Sequence, residues 1–220
     1  PILRRRGVRT QREIDREKYA LKALRGDFRQ DGEEDATNRA RSAWQAARNA
    51  ILNRVGPSSL DSRSLAGLSS MPPKGTIVTL SRAGKTRACQ GSLHPAAATQ
   101  RDETVRVAHA AAAGDPRHPV IQPSEIPHLL LRVSLVRLIE SIPAPNGLNP
   151  SRDGLWLRGG GAGEKNAIIL PGEARTASYM ANEAMRRAGI RAGETVEWFR
   201  LDIDWHEAPI FPTTSHSGGQ

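Results

Sequence analysis

The sequence predicts an α+β protein, and three observations carry that prediction. Trp44, Ala47, Ile51, Leu52 and Val55 recur at the spacing of one helix face. Short runs such as Thr76-Ile77-Val78-Thr79-Leu80 and 129–136 are aliphatic or β-branched and bounded by turn residues, as strands are. Helices and strands then follow one another without the strict alternation that builds a parallel sheet.

Taken in order, residues 1–36 are charged, poor in large apolar groups and broken by Gly26 and by Asp31-Gly32-Glu33-Glu34-Asp35. They read as a partly helical amino-terminal arm, with a helix over 11–25 that offers Ile14, Leu21 and Leu24 for docking. The main domain is expected over 37–209. It opens with the Trp44 helix, capped at Thr37 or Asn38 and stopped by Gly56-Pro57. A linker rich in Ser, Leu and Pro leads to a hairpin, in which strand 76–80 and the segment around Cys89 flank Arg82-Ala83-Gly84-Lys85. A helix over 101–113, the loop Asp115-Pro116-Arg117-His118-Pro119 and a strand over 129–136 follow. Strands over 155–158 and 166–170 surround the glycine run 159–161, which lacks the helix and lysine of a phosphate loop and reads as a hairpin turn. A helix over 173–188 ends at Gly189, a strand over 195–203 closes the domain, and 210–220 read as a flexible tail.

Composition narrows the function classes. No apolar run reaches the roughly 18 residues that cross a bilayer, and no secretory signal is visible, so a soluble, cytoplasmic protein without membrane contact is expected. A single cysteine forbids an intramolecular disulfide, and the six histidines lack paired ligand spacing, so no metal site and no cofactor is expected. The net charge of +9 invites a nucleic-acid reading. Against it, Glu13, Asp15 and Glu17 interleave with the basic residues of the arm, and aromatic residues make up only 4% of the chain, too few for a base-stacking platform.

The sole cysteine, Cys89, lies in Arg87-Ala88-Cys89-Gln90-Gly91. A thiol beside an arginine is a reactive thiolate if the cation lowers its pKa, and an inert core residue if it is simply buried. This run resembles the L-R-G-C-I-G motif of the AMMECR-type domain, named for the Alport, midface hypoplasia and elliptocytosis chromosomal region. Asp115-Pro116-Arg117-His118-Pro119, Ser124-Glu125-Ile126 and Leu131-Arg132-Val133-Ser134-Leu135 are similar to its D-S-R-F-P, E-L and V-S-V-L stretches. Asp153-Gly154-Leu155 and Leu170-Pro171 are similar to its G-x-D-G-L and L-P-Q-V elements. The resemblance spans 37–207 and implies two lobes around a mainly antiparallel sheet with flanking helices, the cysteine motif facing a cleft. It also implies the neighbourhood of a modification or biosynthetic pathway, since relatives accompany Memo-type and radical SAM proteins. Ala88, Gln90, His118 and Gly172-Glu173 depart from the family pattern, mostly by adding polar groups.

Two functional expectations follow. In a cysteine-dependent transferase or hydrolase, Cys89 attacks an acyl or other electrophilic carbon and His118 or Glu173 moves the proton. Arg87 would lower the thiol pKa or hold a substrate carboxylate, and Gln90 would donate to an oxyanion. In a non-catalytic accessory module, Arg87, Arg117 and Asp153 would present the cleft to a carboxylate-bearing small molecule or peptide. The arm at 1–36 would then dock on a partner enzyme or a second copy. Each residue also has a plain structural alternative: Arg87 bridging Asp115 or Asp153, His118 solvated between prolines, and Glu173 at a helix start.

Overall fold

Hydrophobic period becomes secondary structure across most of the chain in a computed structural model, which describes residues 27–55, 68, 72–113, 115–159 and 165–211. The elements are α1 (Asp27–Val55), β1 (Thr76–Arg82), β2 (Lys85–Ser92), α2 (Gln100–Ala113), β3 (Leu130–Ile142), β4 (Asp153–Gly159), β5 (Lys165–Ile169), α3 (Ala177–Ala188) and β6 (Val196–Pro209). The α+β expectation holds. The strands form one curled sheet in the order β2-β1-β3-β6-β4-β5, and every neighbouring pair is antiparallel. Residues 39–220 group as one unit and 1–38 as another.

The β1–β2 hairpin turns where expected. Ala83 and Gly84 both take positive φ, 50° and 74°, and two such residues make the turn that matches strand twist. The predicted helix over 11–25, most of the linker and the core of the glycine run lie outside the described residues. Three boundaries differ from expectation. Helix α1 does not start at Thr37 or Asn38 but runs through them from Asp27, since a polar residue inside a helix costs only tenths of a kcal/mol. Helix α3 starts at Ala177 rather than Glu173, because Thr176 caps it by accepting the Tyr179 N–H at 3.1 Å. Strands β3 and β6 extend past their apolar runs because they pair with each other from Leu130↔Pro209 to Ile142↔Trp198. The tail prediction also yields at one residue: Ile210 is fully buried and its N–H donates to Leu129 O at 3.1 Å.

Strand alternation divides the core between the two sheet faces. Val78, Leu80, Ala88, Leu131, Val133 and Leu135 pack on one face against Ala43, Ala47 and Ile51 of α1 and Val107, Ala108 and Ala111 of α2. Leu155, Leu157, Ala167 and Ile169 pack against Met180 and Ala184 of α3. On the opposite face, Ile77, Val136, Leu170, Leu201 and Ile203 meet with Cys89, Trp156 and Ile168 packed against them. Cys89 therefore lies on the sheet face turned away from α1 and α2, at the edge strand.

Gly91 sets the approach of β2 to β1. A Cβ there would stand 2.6 Å from Ile77 Cγ1 and 2.9 Å from Thr76 O, so a side chain forces the strands apart. Gly91→Ala is expected to lower the unfolding free energy by about 1–3 kcal/mol in urea denaturation. Gly84→Asn, which sits in open space and keeps an αL-tolerant residue, is expected to leave it nearly unchanged.

Candidate functional site

Because the sheet curls, its two edge strands line one cleft of about 630 Å³. Ile77, Cys89, Gln90 and Gly91 line it from the β1–β2 side, with Pro116 and Arg117 from the following loop. Asn166, Ala167 and Ile168 of β5, Leu170 and Glu173 from the next turn, and Arg186 and Arg187 of α3 line the other side.

The edge of β2 is held by an acid from the 115–119 loop. Cys89 and Thr79 are register partners, and the Cys89 N–H points away from β1 to donate to Asp115 Oδ2 at 2.8 Å. The same carboxylate takes Arg117 in a fork, from Nε at 2.9 Å to Oδ1 and from Nη2 at 2.9 Å to Oδ2. Arg117 Nη2 also donates to Cys89 O at 3.0 Å. Asp115 and Arg117 thus meet both backbone groups of Cys89 as a further strand would, closing an otherwise open edge. The loop keeps its shape through an Asx turn, in which Asp115 Oδ1 accepts the Arg117 N–H at 3.0 Å. Buried to 5% exposure beside the guanidinium, the Asp115 carboxyl is held well below the ordinary carboxylate range, chiefly by its hydrogen bonds from Arg117.

Burial pushes the Cys89 thiol up, against a smaller lowering by the Thr79 hydroxyl, whose Oγ1 lies 3.4 Å from Sγ. Glu173 and Asp115 add to the rise and Arg117 opposes it. The expected thiolate activator, Arg87, is occupied elsewhere. Its Nε and Nη2 take both oxygens of Glu125 at 2.7 and 2.8 Å, and Nη1 donates to Pro119 O at 2.9 Å. The bridge foreseen to Asp115 or Asp153 is made to Glu125 instead. Burial of both groups, each 16% exposed, makes this pair a staple between β2 and the short helical turn Pro123–His128.

Of the residues singled out from the sequence, Cys89, Gln90, Arg117 and Glu173 come together around the cleft, whereas Arg87, His118 and Asp153 are not among its lining residues. The His118 N–H closes the loop on Asp115 O at 3.1 Å, and Asp153 accepts the Asn149 N–H at 2.7 Å at the start of β4. Both therefore order turns. Glu173 is not at a helix start either. It follows Pro171-Gly172 in a turn whose Gly172 has φ +87°, and its carboxylate pairs with Arg187 Nη1 at 2.9 Å. Arg187 is tied further to Glu183, as is Arg186, and Glu183 is pulled down to about 2 by the two arginines. The contributions of Thr79, Arg186 and Arg187 carried no local signal in the sequence, and Glu125 stood in a motif stretch that did not announce its pairing with Arg87. The Asp-Pro-Arg spacing did signal an Asx turn. Among the described residues no group of three His, Cys, Asp or Glu side chains is placed to hold a metal ion. No helix among them is long and apolar enough to cross a membrane.

The curled antiparallel sheet, with an R-A-C-Q-G edge strand clamped by a D-x-R loop over a cleft, defines a class of domain. The AMMECR1 family model matches residues 18–211, and the chain belongs to that family. The match begins at residue 18, within the segment read as an arm, so the family likeness reaches beyond the 37–207 expected from motifs. A protein of Methanothermobacter thermautotrophicus is 30% identical over 126 residues, 54% of this chain and 64% of its own length. One from Methanococcoides burtonii is 27% identical over 153 residues, 66% of this chain and 74% of its own. The chain thus spans a little under two thirds of the first relative and about three quarters of the second. The crystal structure of an uncharacterised protein from Pyrococcus horikoshii shares the fold, with a TM-score of 0.61 at 22% identity, covering 77% of this chain and 92% of that one.

The Asp115 clamp has a pH signature. Its folded pKa is depressed, so its stabilisation is complete above the unfolded carboxylate pKa of about 3.9 and is lost as pH falls from there toward the folded value. Asp115→Asn is expected to cost about 1–3 kcal/mol at pH 7 and to flatten the fall in urea midpoint between about pH 4 and 2.

Proposed function

We propose that this AMMECR1-family protein is a ligand-binding accessory module, whose cleft receives a small molecule or peptide without a covalent step. The observation that carries this reading is the state of Cys89. Nucleophilic attack requires the thiolate and a group to take the proton. Here burial favours the neutral thiol, and Sγ shares its hydrogen bond with Thr79, a hydroxyl that is no base at neutral pH. Glu173, the acid that lines the cleft with Cys89, raises the thiol further and is engaged by Arg187. Arg87, which the transferase or hydrolase reading needs beside the thiol, is committed to Glu125.

The cleft suits recognition better. Its walls combine apolar Ile77, Ile168 and Leu170 with the polar Gln90, Asn166 and Arg117, the mixture that orients a ligand. In this reading residues 1–36 serve as the docking element toward a partner enzyme, which would carry the chemistry.

Alkylation of Cys89 by iodoacetamide as a function of pH, read by intact mass, tests the assignment. The folded protein is expected to label slowly at pH 7 and to reach the rate of a free thiol only above the ordinary thiol pKa of about 8.5 or after denaturation. Rapid labelling at pH 6–7 would return the thiol-enzyme reading to first place.

A further inference from the structure

Among the described residues, two on β3 carry buried polar atoms with no hydrogen-bond partner. Ser134 is fully buried, and its Oγ has no hydrogen-bond partner. Arg132 has both Nε and Nη2 shielded from solvent and unpartnered. Leaving a buried hydroxyl or guanidinium edge unpaired is costly, and each such group in a folded protein calls for a reason.

Both residues stand on the face of the sheet that carries Cys89. Register places Cys89, Thr79, Arg132 and Glu207 in one row across β2, β1, β3 and β6, and Ile77, Ser134 and Trp205 in the adjacent row. The guanidinium lies over the Trp205 ring at 4.3 Å, which fixes its plane. Glu207, Glu173 and Cys89 act on it at a distance, and burial still pulls its pKa down. Among the described residues no carboxylate makes an ion pair with it.

The shape of the unpaired edge names what it receives. Nε and Nη2 form the side-on fork of a guanidinium, which takes two oxygens of one planar acid. The chain uses the same edge repeatedly: Arg87 on Glu125, Arg106 on Glu103, Arg117 on Asp115 and Arg186 on Glu183. Arg132 has this fork, buried and held on an aromatic ring, without the carboxylate.

We propose that Arg132, with Ser134 beside it on β3 and Trp205 backing its guanidinium, is the seat for the carboxylate of the ligand. This deepens the binding reading and rests on it. It assigns the ligand's class as a carboxylic acid, free or at a peptide terminus or side chain, whose acid group reaches past the cleft-lining Cys89 and Ile77 to the same two rows on β3, behind the lining residues of the cleft rather than among them. Arg187, Arg186 and Arg117, each already paired, then shape the cleft rather than neutralise the ligand.

The test is thermal unfolding of the full chain in acetate against chloride at equal ionic strength, with phosphate as a third arm. At ten times its dissociation constant, acetate is expected to raise the wild-type midpoint by about 3–6 °C. Arg132→Met, which replaces an unpaired buried cation with an apolar side chain of similar reach, is expected to keep or raise the midpoint in chloride and to lose the acetate shift. Arg132→Lys keeps a charge but not the fork, and is expected to lose at least tenfold in acetate affinity. An equal acetate shift in wild type and both variants, or no shift in wild type, overturns the seat. A larger shift in phosphate than in acetate overturns the carboxylate class. An absent acetate shift with slow Cys89 labelling removes the seat and leaves the binding reading standing. Fast Cys89 labelling with an Arg132-dependent shift removes that reading and leaves an anion site.

Discussion

The Asp115 carboxylate is the constraint on which the site depends. An edge strand exposes backbone groups that another chain could pair with, and β2 is such a strand. Asp115 and Arg117 cover the Cys89 amide and carbonyl together, so one ion pair ends the sheet, fixes the loop and orients the thiol. Arg117 is 64% exposed at its side chain while Asp115 is 2% exposed, so the acid end of the pair is shielded and the cation remains at the cleft mouth. The clamp orders the backbone of Cys89, while burial pushes its thiol pKa up. Its backbone serves the architecture, and its side chain packs with Ile77 in the interior cluster.

The second determinant is the long pairing of β3 with β6 through the middle of the sheet. A register shift between Val136 and Leu138 interrupts the ladder, and a bulge increases local twist and bends a strand. At and beyond it, Arg137 pairs with Asp202 at 2.7 Å and Arg200 with Glu140 at 2.7 Å, so polar residues continue a strand that apolar alternation no longer marks. A curled sheet brings its edges toward each other. Residues from β2 and β5, at opposite ends of the strand order, consequently line one cleft.

The same division of labour runs through Arg87-Ala88-Cys89-Gln90-Gly91. Ala88 belongs to the helix-facing core, Gly91 lets β1 approach, and Arg87 staples the strand to the turn at Glu125. Only Cys89 and Gln90 of that run, with Gly91, reach the cleft wall. Most of the motif therefore builds the edge of the sheet, and the cleft wall is shared with α3 and β5.

By itself the sequence determined the fold class, the Ala83-Gly84 hairpin, the order of the elements and the family, because these rest on short-range period, turn chemistry and motif spacing. It located Cys89, Gln90, Arg117 and Glu173 for the cleft, each in a motif where a polar residue departs from a plain core pattern or anchors a loop. Tertiary structure alone decided the partners. Arg87 chose Glu125 over Asp115 across 38 residues, β3 and β6 outran their apolar runs, and Arg132 was left without an acid beside Trp205. An arginine in an alternating strand reads as a solvated residue, and only the register of four strands shows that its row carries a thiol, a hydroxyl and an open fork. The upward push on the Cys89 thiol pKa was hidden for the same reason: it depends on burial and on groups from distant segments, and neither is encoded in neighbouring residues.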